Sequence, residues 1–215
     1  MRKLLTMTVF IMLCYGAAPG YAGSYRLCQI VFVPIGNFPE TALHKVAHYY
    51  RDTLGIEITV TRIVPFEEPM IDRGRNQLVG EQLIDQMKRY LPAYTDNPRI
   101  MMIGFTRGDM YVQHKNWLFA FAHREDGRFA AISTARMDPE SFGLPADDRV
   151  LISRLIKMTS KQIGLYFYEL PQREETTSVL FSPILGVDDL DVVAMDFDAL
   201  DRKRMGPTTR RCYAN

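Results

Sequence analysis

A strand, a helix and a second strand follow one another between residues 29 and 64, and this order restricts the fold of the chain more than any other feature. Residues 29–34 form an apolar run, which is typical of a strand buried on both faces. Between residues 40 and 54 apolar side chains recur at helical spacing, and Gly55 follows as a helix stop. Residues 56–64 then alternate between apolar and polar side chains, as in a half-buried strand. The pattern predicts the start of an α/β sheet.

The next part of the chain adds strands to this sheet. Residues 77–90 predict an amphipathic helix, and residues 99–105 predict a third strand. The dipeptide Asp126-Gly127 is a hairpin turn signal between two apolar runs, residues 117–123 and residues 129–133. These two runs are therefore predicted to pair as antiparallel strands.

A long amphipathic helix is predicted over residues 147–168, and the prolines and acidic clusters that follow it predict an irregular lobe. The expected fold is an α/β domain with a mixed, mostly parallel twisted sheet, an antiparallel edge hairpin and two to three main helices. We expect residues 23–168 to form the larger subdomain, which includes the long helix. Residues 169–215 are expected to form the small, loop-rich C-terminal subdomain.

The charge of the chain argues against one large class of partners. Of the 215 residues, 47% are hydrophobic and 24% are charged, which is the profile of a globular domain. Lysine and arginine together number 26 and aspartate and glutamate 25, so the formal net charge is only +1. A chain without a basic excess has no broad surface to hold a nucleic-acid backbone, and nucleic acid is not expected as a partner.

The amino terminus has the composition of a secretory signal. Arg2 and Lys3 precede an apolar run over residues 4–18, and Gly20-Tyr21-Ala22 provides a small-x-small cleavage site. The run is shorter than the roughly 20 apolar residues that a bilayer span requires. We therefore expect residues 1–22 to be removed, with no stable membrane anchor afterwards and a periplasmic or secreted location.

Two cysteines, Cys28 and Cys212, remain once that segment is removed. An even pair in an exported protein favours a disulfide. Cys212 lies close to the end of the chain, where residues are often poorly ordered, so two separate thiols are the alternative. The sequence alone leaves both states open.

Four short segments stand in a fixed order along the predicted sheet. They are Val33-Pro34-Ile35-Gly36, Thr106-Arg107-Gly108-Asp109-Met110-Tyr111, Trp117-Leu118-Phe119-Ala120-Phe121-Ala122 and Ile132-Ser133-Thr134-Ala135-Arg136. In order and spacing this set resembles the archaemetzincin family of zinc peptidases, although Ala120 and Phe121 depart from the Phe-Gly of the family. The resemblance spans most of residues 29–200 and implies a metzincin-like fold.

The resemblance also implies an active-site helix that carries His-Glu-x-x-His-x-x-Gly-x-x-His. In that motif two histidines one helical turn apart and a third beyond the glycine bind zinc, and the glutamate acts as general base on zinc-bound water. When Gly164 is matched to the glycine inside the helical part of the motif, this chain has Lys-Gln-Ile-Gly-Leu-Tyr-Phe-Tyr-Glu-Leu-Pro over residues 161–171.

Every functional position of the motif is changed. Lys161, Leu165 and Pro171 stand at the three histidine positions, Gln162 replaces the general base, and Tyr168 replaces the turn glycine. A protonated amine and two hydrocarbon side chains donate no electron pair to a metal. We therefore expect no zinc and no catalytic residue there.

The second metal site that the resemblance implies is also missing. Ser178 stands where the family has a zinc-binding cysteine, and Cys28 and Cys212 lie too far apart in the sequence to replace that cysteine cluster. No cofactor is expected.

The cleft beside the long helix is expected to contain Lys161, Tyr166 and Tyr168. A buried lysine needs a carboxylate partner or loses its charge, whereas a lysine at a cleft rim stays solvated. Both arrangements remain open. The candidate partners are Glu169, Asp188, Asp189 and Asp191.

Three functions are compatible with these residues. The first is an exported pseudopeptidase that binds a peptide or a protein partner in the retained cleft. The second is an active metallopeptidase or other hydrolase with a rebuilt site, for which His114 and His123 are candidates. The third is a structural role in the cell envelope. The His44 and His48 pair offers too few ligands for a specific metal.

Overall fold

The computed structural model describes residues 26–206, which form eight strands and six α-helices. The strands are β1 (Gln29–Pro34), β2 (Ile58–Val60), β3 (Ile71–Asp72), β4 (Gln77–Val79), β5 (Ile100–Thr106), β6 (Met110–Tyr111), β7 (Ala122–Glu125) and β8 (Phe129–Ser133). The helices are α1 (Glu40–Leu54), α2 (Gly80–Tyr90), α3 (Pro92–Thr95), α4 (Asp148–Gln162), α5 (Val187–Val192) and α6 (Ala199–Met205).

The central sheet has five strands in the order β2-β1-β5-β8-β7. The first four strands are parallel to their neighbours, and β7 pairs antiparallel with β8 through the turn at Asp126-Gly127. Asp126 and Gly127 both adopt positive φ, as such a tight turn requires. The predicted fold, a mostly parallel sheet with an antiparallel edge hairpin, is confirmed.

Helices cover both faces of this sheet. Along β1, Ile30 and Phe32 point into the core formed with α1 and α4, whereas Val31 and Val33 point into the core formed with α2. All four side chains are completely buried. This two-sided burial explains why the strand is an apolar run and does not alternate.

A second, small sheet in the order β3-β4-β6 was not predicted. Gln77–Val79 was assigned to the start of an amphipathic helix, but these residues form β4 and the helix begins at Gly80. Likewise β7 begins at Ala122, and the apolar residues 117–121 before it are not a strand. Short apolar runs fit a strand or a helix equally well, so periodicity does not separate the two.

Helix α4 begins at a side-chain cap and ends in a widened turn. The Asp147 carboxylate accepts hydrogen bonds from the backbone N–H groups of Arg149 and Val150. Residues Ile163–Phe167 continue the helix as one π-helical turn, so the regular helix is shorter than predicted. The chain then reverses at Glu169, which has φ 55°, and the Leu170 N–H donates to the Gly164 carbonyl at 2.9 Å. The left-handed residue is therefore Glu169, one position after Tyr168.

Residues 169–206 pack on α4. Their apolar side chains Leu180, Leu190 and Phe197 belong to the same core as α1 and α4. Arg154 of α4 donates two hydrogen bonds to the Asp191 carboxylate, at 2.7 and 2.6 Å. In the described part of the chain, no helix is both long enough and apolar enough to cross a membrane.

Replacing Glu169 with glycine is expected to stabilise the protein. Glu169 is exposed and adopts a backbone conformation that disfavours any residue with a Cβ, whereas glycine adopts it freely. We expect the free energy of unfolding to rise by about 0.5–1 kcal/mol, measured by urea denaturation. The matched control is Glu174→Gly, also at an exposed site but without positive φ, which should lower stability by a similar amount. Equal losses in both variants would contradict the assignment of strain to residue 169.

Candidate ligand-binding cleft

A cavity of about 550 Å³ lies beside the C-terminal end of α4. One wall consists of residues 116–122 and Arg124, in and before β7, and another consists of residues 182–185. Lys161 and Gln162 of α4 line the space between these walls. The cavity volume falls within the range of typical ligand sites. The two positions that open the family motif therefore face a cleft.

The Lys161 ammonium group is bound by a backbone carbonyl. Lys161 is only 6% exposed, and its Nζ donates to the Phe181 carbonyl oxygen at 2.5 Å. Burial, together with the positive charge of Arg124, lowers the pKa of Lys161 to about 8. Within residues 26–206 no salt bridge joins Lys161 to a carboxylate.

The four acidic residues named as candidate partners are engaged elsewhere or exposed. Asp191 binds Arg154, and the Asp189 carboxylate accepts from the Leu185 N–H at 2.7 Å. Glu169 and Asp188 do not line the cleft. Lys161 is therefore neither paired with a carboxylate nor solvated at the rim. It is buried, and its ammonium group donates to a neutral carbonyl group.

Gln162 leaves one polar atom without a partner. Its side chain is 2% exposed, and its Nε2 donates to the Met158 carbonyl at 3.3 Å. Its Oε1 is buried and accepts no hydrogen bond from the described residues. A buried acceptor of this kind is unfavourable unless a ligand or a water molecule donates to it.

Neither of the two tyrosines predicted for the cleft is among the residues that line the cavity. Tyr166 is half-buried, and the Arg124 guanidinium lies 5.9 Å from the centre of its ring. Burial raises the pKa of Tyr166, so it stays neutral. Tyr168 is 4% exposed and packs edge-on against Phe167 and Phe197, away from the residues that line the cleft.

The side chains at the positions that match the zinc-binding histidines of the motif are not suited to bind a zinc ion. Lys161 is an ammonium below pH 8, Leu165 is half-buried beside the core, and Pro171 is exposed. None of these side chains offers a lone pair to a metal near neutral pH. In residues 26–206 as a whole, no three His, Cys, Asp or Glu side chains converge as a metal site would require.

The histidines lie outside this cleft. His44 and His48 are exposed on α1, His114 contacts Glu81 at 3.1 Å, and His123 contacts Glu125 at 3.2 Å. His123 points to the α2 side of β7, toward Gly80, whereas Arg124 points to the cleft. A site rebuilt from His114 and His123 would therefore have to form away from the cavity.

Arg124 is the cleft residue that the sequence analysis missed. Adjacent side chains of a strand point to opposite faces, so the position of β7 puts Ala122 and Arg124 on the α4 side. The signal was present in the alternation of residues 122–125, but the strand was assigned too early, to residues 117–123.

The predicted disulfide and signal segment cannot be placed within this structure. Cys28 lies at the start of the described residues, where its N–H donates to the Arg99 carbonyl at 2.8 Å. Cys212 and residues 1–22 lie outside the described residues. The Cys28–Cys212 bond and the cleavage of residues 1–22 stay predictions.

Comparison with known proteins gives relatives of one kind. The archaemetzincin of Pyrococcus furiosus is 28% identical over 148 residues, which cover 65% of this chain and 73% of that protein. A zinc-dependent peptidase from Methanocorpusculum labreanum superimposes with a TM-score of 0.70 at 20% identity, covering 83% of this chain and 100% of the other. The archaemetzincin of Methanopyrus kandleri superimposes with a TM-score of 0.66 at 18% identity, covering 88% and 98%. No family model matches the chain.

The sequence relatives and the fold agree with the archaemetzincin resemblance of the four sequence segments. The structural likeness covers nearly the whole length of the solved peptidases, and Lys161 and Gln162 open onto the cleft. In sequence the chain is similar to archaemetzincins, and in fold it is similar to a zinc-dependent peptidase and to archaemetzincins of known structure.

Proposed function

We propose that this protein is an exported pseudopeptidase, which binds a peptide in the cleft without zinc-dependent cleavage. The observation that carries the proposal is the combination of a retained cavity with changed ligands. The cavity beside α4 is about 550 Å³, while Lys161, Leu165 and Pro171 occupy the histidine positions.

The residues at the cleft lack the groups that peptide hydrolysis by this family needs. A catalytic zinc ion polarises the scissile carbonyl and makes its bound water a nucleophile near neutral pH. The protein must supply ligands for the ion and a carboxylate to accept the water's proton. Gln162 is a neutral amide and cannot accept that proton, and Lys161 holds its own proton below pH 8.

The walls of the cleft suit an extended peptide. In the described residues β7 is the edge strand of the sheet and pairs with β8, and its residues Ala122 and Arg124 line the cavity. Large apolar side chains on the walls remain exposed, with Trp117 at 53%, Leu118 at 81% and Leu185 at 75%. An apolar surface beside an edge strand is typical of a partner-binding site.

Export completes the proposal and is supported by the sequence. The basic start, the apolar run over residues 4–18 and the small residues before position 23 have the order of a secretory signal. The protein would then act in the periplasm or outside the cell.

The purified mature protein is expected to contain far less than one zinc ion per chain and to show no chelator-sensitive peptide cleavage. The physical reason is the missing set of lone-pair donors at residues 161–171. Elemental analysis together with a casein or peptide-library assay measures both, on samples stripped with chelator and on samples then reloaded with zinc. Stoichiometric zinc with cleavage that reloading restores would show that a metal site has been rebuilt.

Replacing Lys161 with methionine is expected to change how stability depends on pH. The Lys161 pKa is about 8 in the folded protein and near 10.5 in the unfolded chain, so the unfolded chain binds more protons between these values. The stability of the wild type therefore rises with pH through this window, whereas Lys161→Met lacks this rise. The variant's free energy of unfolding relative to wild type should fall by roughly 1–3 kcal/mol between pH 8 and pH 10.5.

The measurement for this variant is urea denaturation at several pH values from 7 to 10.5. Lys45→Met, at an exposed site on α1, is the matched control and should follow the wild type at every pH. If the difference in free energy of unfolding between Lys161→Met and wild type stays constant with pH, the folded protein does not lower the pKa of Lys161, and the prediction is wrong.

A further inference from the structure

Two positive charges face the cleft without a counter-ion. Lys161 and Arg124 both line the cavity, and no aspartate or glutamate is among the described residues that line it with them. Lys161 has three N–H donors, of which one binds the Phe181 carbonyl. Arg124 forms no salt bridge within residues 26–206, and its guanidinium lies over the Tyr166 ring. An anionic ligand group would therefore meet free donors on two cations.

A third unpaired group lies next to Lys161. Gln162 Oε1 is buried, belongs to a side chain that lines the cavity, and accepts no hydrogen bond from the described residues. The Gln162 Oε1 atom can therefore accept a hydrogen bond from an N–H group of a ligand. A ligand complementary to the cleft therefore carries a negatively charged group and an N–H group close together.

The walls define the rest of the ligand. Phe119 and Phe121 contact each other edge-on, with ring centres 5.1 Å apart, and both line the cavity together with Ile184. A carboxylate, a neighbouring backbone N–H and an apolar side chain occur together on the last residue of a peptide. In an internal acidic residue the carboxylate is on the side chain, so that same residue offers no apolar side chain to Phe119 and Phe121.

We propose that the cleft binds the free carboxyl terminus of a peptide that ends in an apolar residue. Lys161 and Arg124 bind the α-carboxylate, Gln162 Oε1 accepts the N–H of the last peptide bond, and the last side chain contacts Phe119 and Phe121. This inference rests on the proposed function, because it names the class of peptide that the pseudopeptidase would bind.

Trp117 provides the signal for a direct test. It is the single tryptophan of the protein, and it lies on the wall of the cleft. Three blocked tetrapeptides are titrated against the mature protein: acetyl-Ala-Ala-Leu-Phe as the free acid, the same peptide as the C-terminal amide, and acetyl-Ala-Glu-Leu-Phe as the amide. Tryptophan emission and calorimetry report binding of each.

The free acid is expected to bind at least about tenfold more tightly than either amide, because it alone offers a terminal carboxylate to the two cations. Lys161→Met and, separately, Arg124→Met should reduce this preference, whereas Lys45→Met should keep it. Gln162→Leu should weaken the acid and the amide by the same factor, since both peptides donate the same N–H. Arg124→Met keeps the test informative if Lys161→Met does not fold.

The outcomes separate this inference from the proposed function. Equal binding of acid and amide with a change in Trp117 emission would overturn the carboxylate site and leave peptide binding in place. Tight binding of the glutamate-containing amide would overturn the choice of a terminal carboxylate. Absence of binding by all three peptides would overturn the inference and count against the peptide-binding function itself.

Discussion

The second half of α4 is buried, and its packing determines where the C-terminal segment and the cleft wall lie. Every side chain from Arg154 to Gln162 is buried, so this helix is packed on all sides. A Cβ built at Gly164 would lie 2.5 Å from Leu180 Cδ2 and 2.7 Å from Phe197 Cε1. Only glycine permits this approach, because both neighbours are themselves buried and cannot move aside. The close packing fixes the C-terminal segment on the helix and thereby forms one wall of the cleft.

Hydrogen bonds connect the C-terminal segment to its surroundings where the family resemblance implies metal ligation. Ser178 stands at the position of a zinc-binding cysteine, and its hydroxyl donates to the Asp201 carboxylate at 2.7 Å in a fully buried pair. Lys161, at a zinc-binding histidine position, donates to the Phe181 carbonyl. Both contacts connect residues that are far apart in the sequence. Such contacts stabilise less than a metal–ligand set, but they need no ion.

The sequence predicts the large elements well because their periodicity is unambiguous. β1 was predicted as Gln29–Pro34 and α1 as residues 40–54, and both match the structure. The three-residue strand β4 and the late start of β7 were missed, because short strands carry too few residues for a period to appear. The alignment of residues 161–171 with the zinc-binding motif came from matching Gly164 to a glycine of the motif, and not from periodicity.

The side-chain partners in the cleft could not be predicted in the same way. The sequence suggested an acidic partner for Lys161, since charge pairing is the usual solution for a buried amine. The actual partner is a backbone carbonyl, which any residue at position 181 would supply, so no sequence signal marks it. Arg124 was missed for a related reason, because its direction depends on the first residue of β7.

At the position where the resemblance implies a zinc-binding histidine, Lys161 provides a positive charge at the cleft with a chemistry different from that of zinc. A zinc ion and an ammonium group both attract oxygen atoms. A cleft that binds oxygen-bearing ligands through zinc can therefore also bind them through an ammonium group. Zinc accepts lone pairs directly and lowers the pKa of bound water, whereas an ammonium group donates hydrogen bonds and leaves water unactivated. With Arg124 as a second cation and Gln162 as a buried acceptor, the favoured ligand is one whose charge is already formed. A peptide carboxylate meets this requirement, whereas a scissile carbonyl acquires its charge only during attack, and that difference separates binding from catalysis in the proposed function.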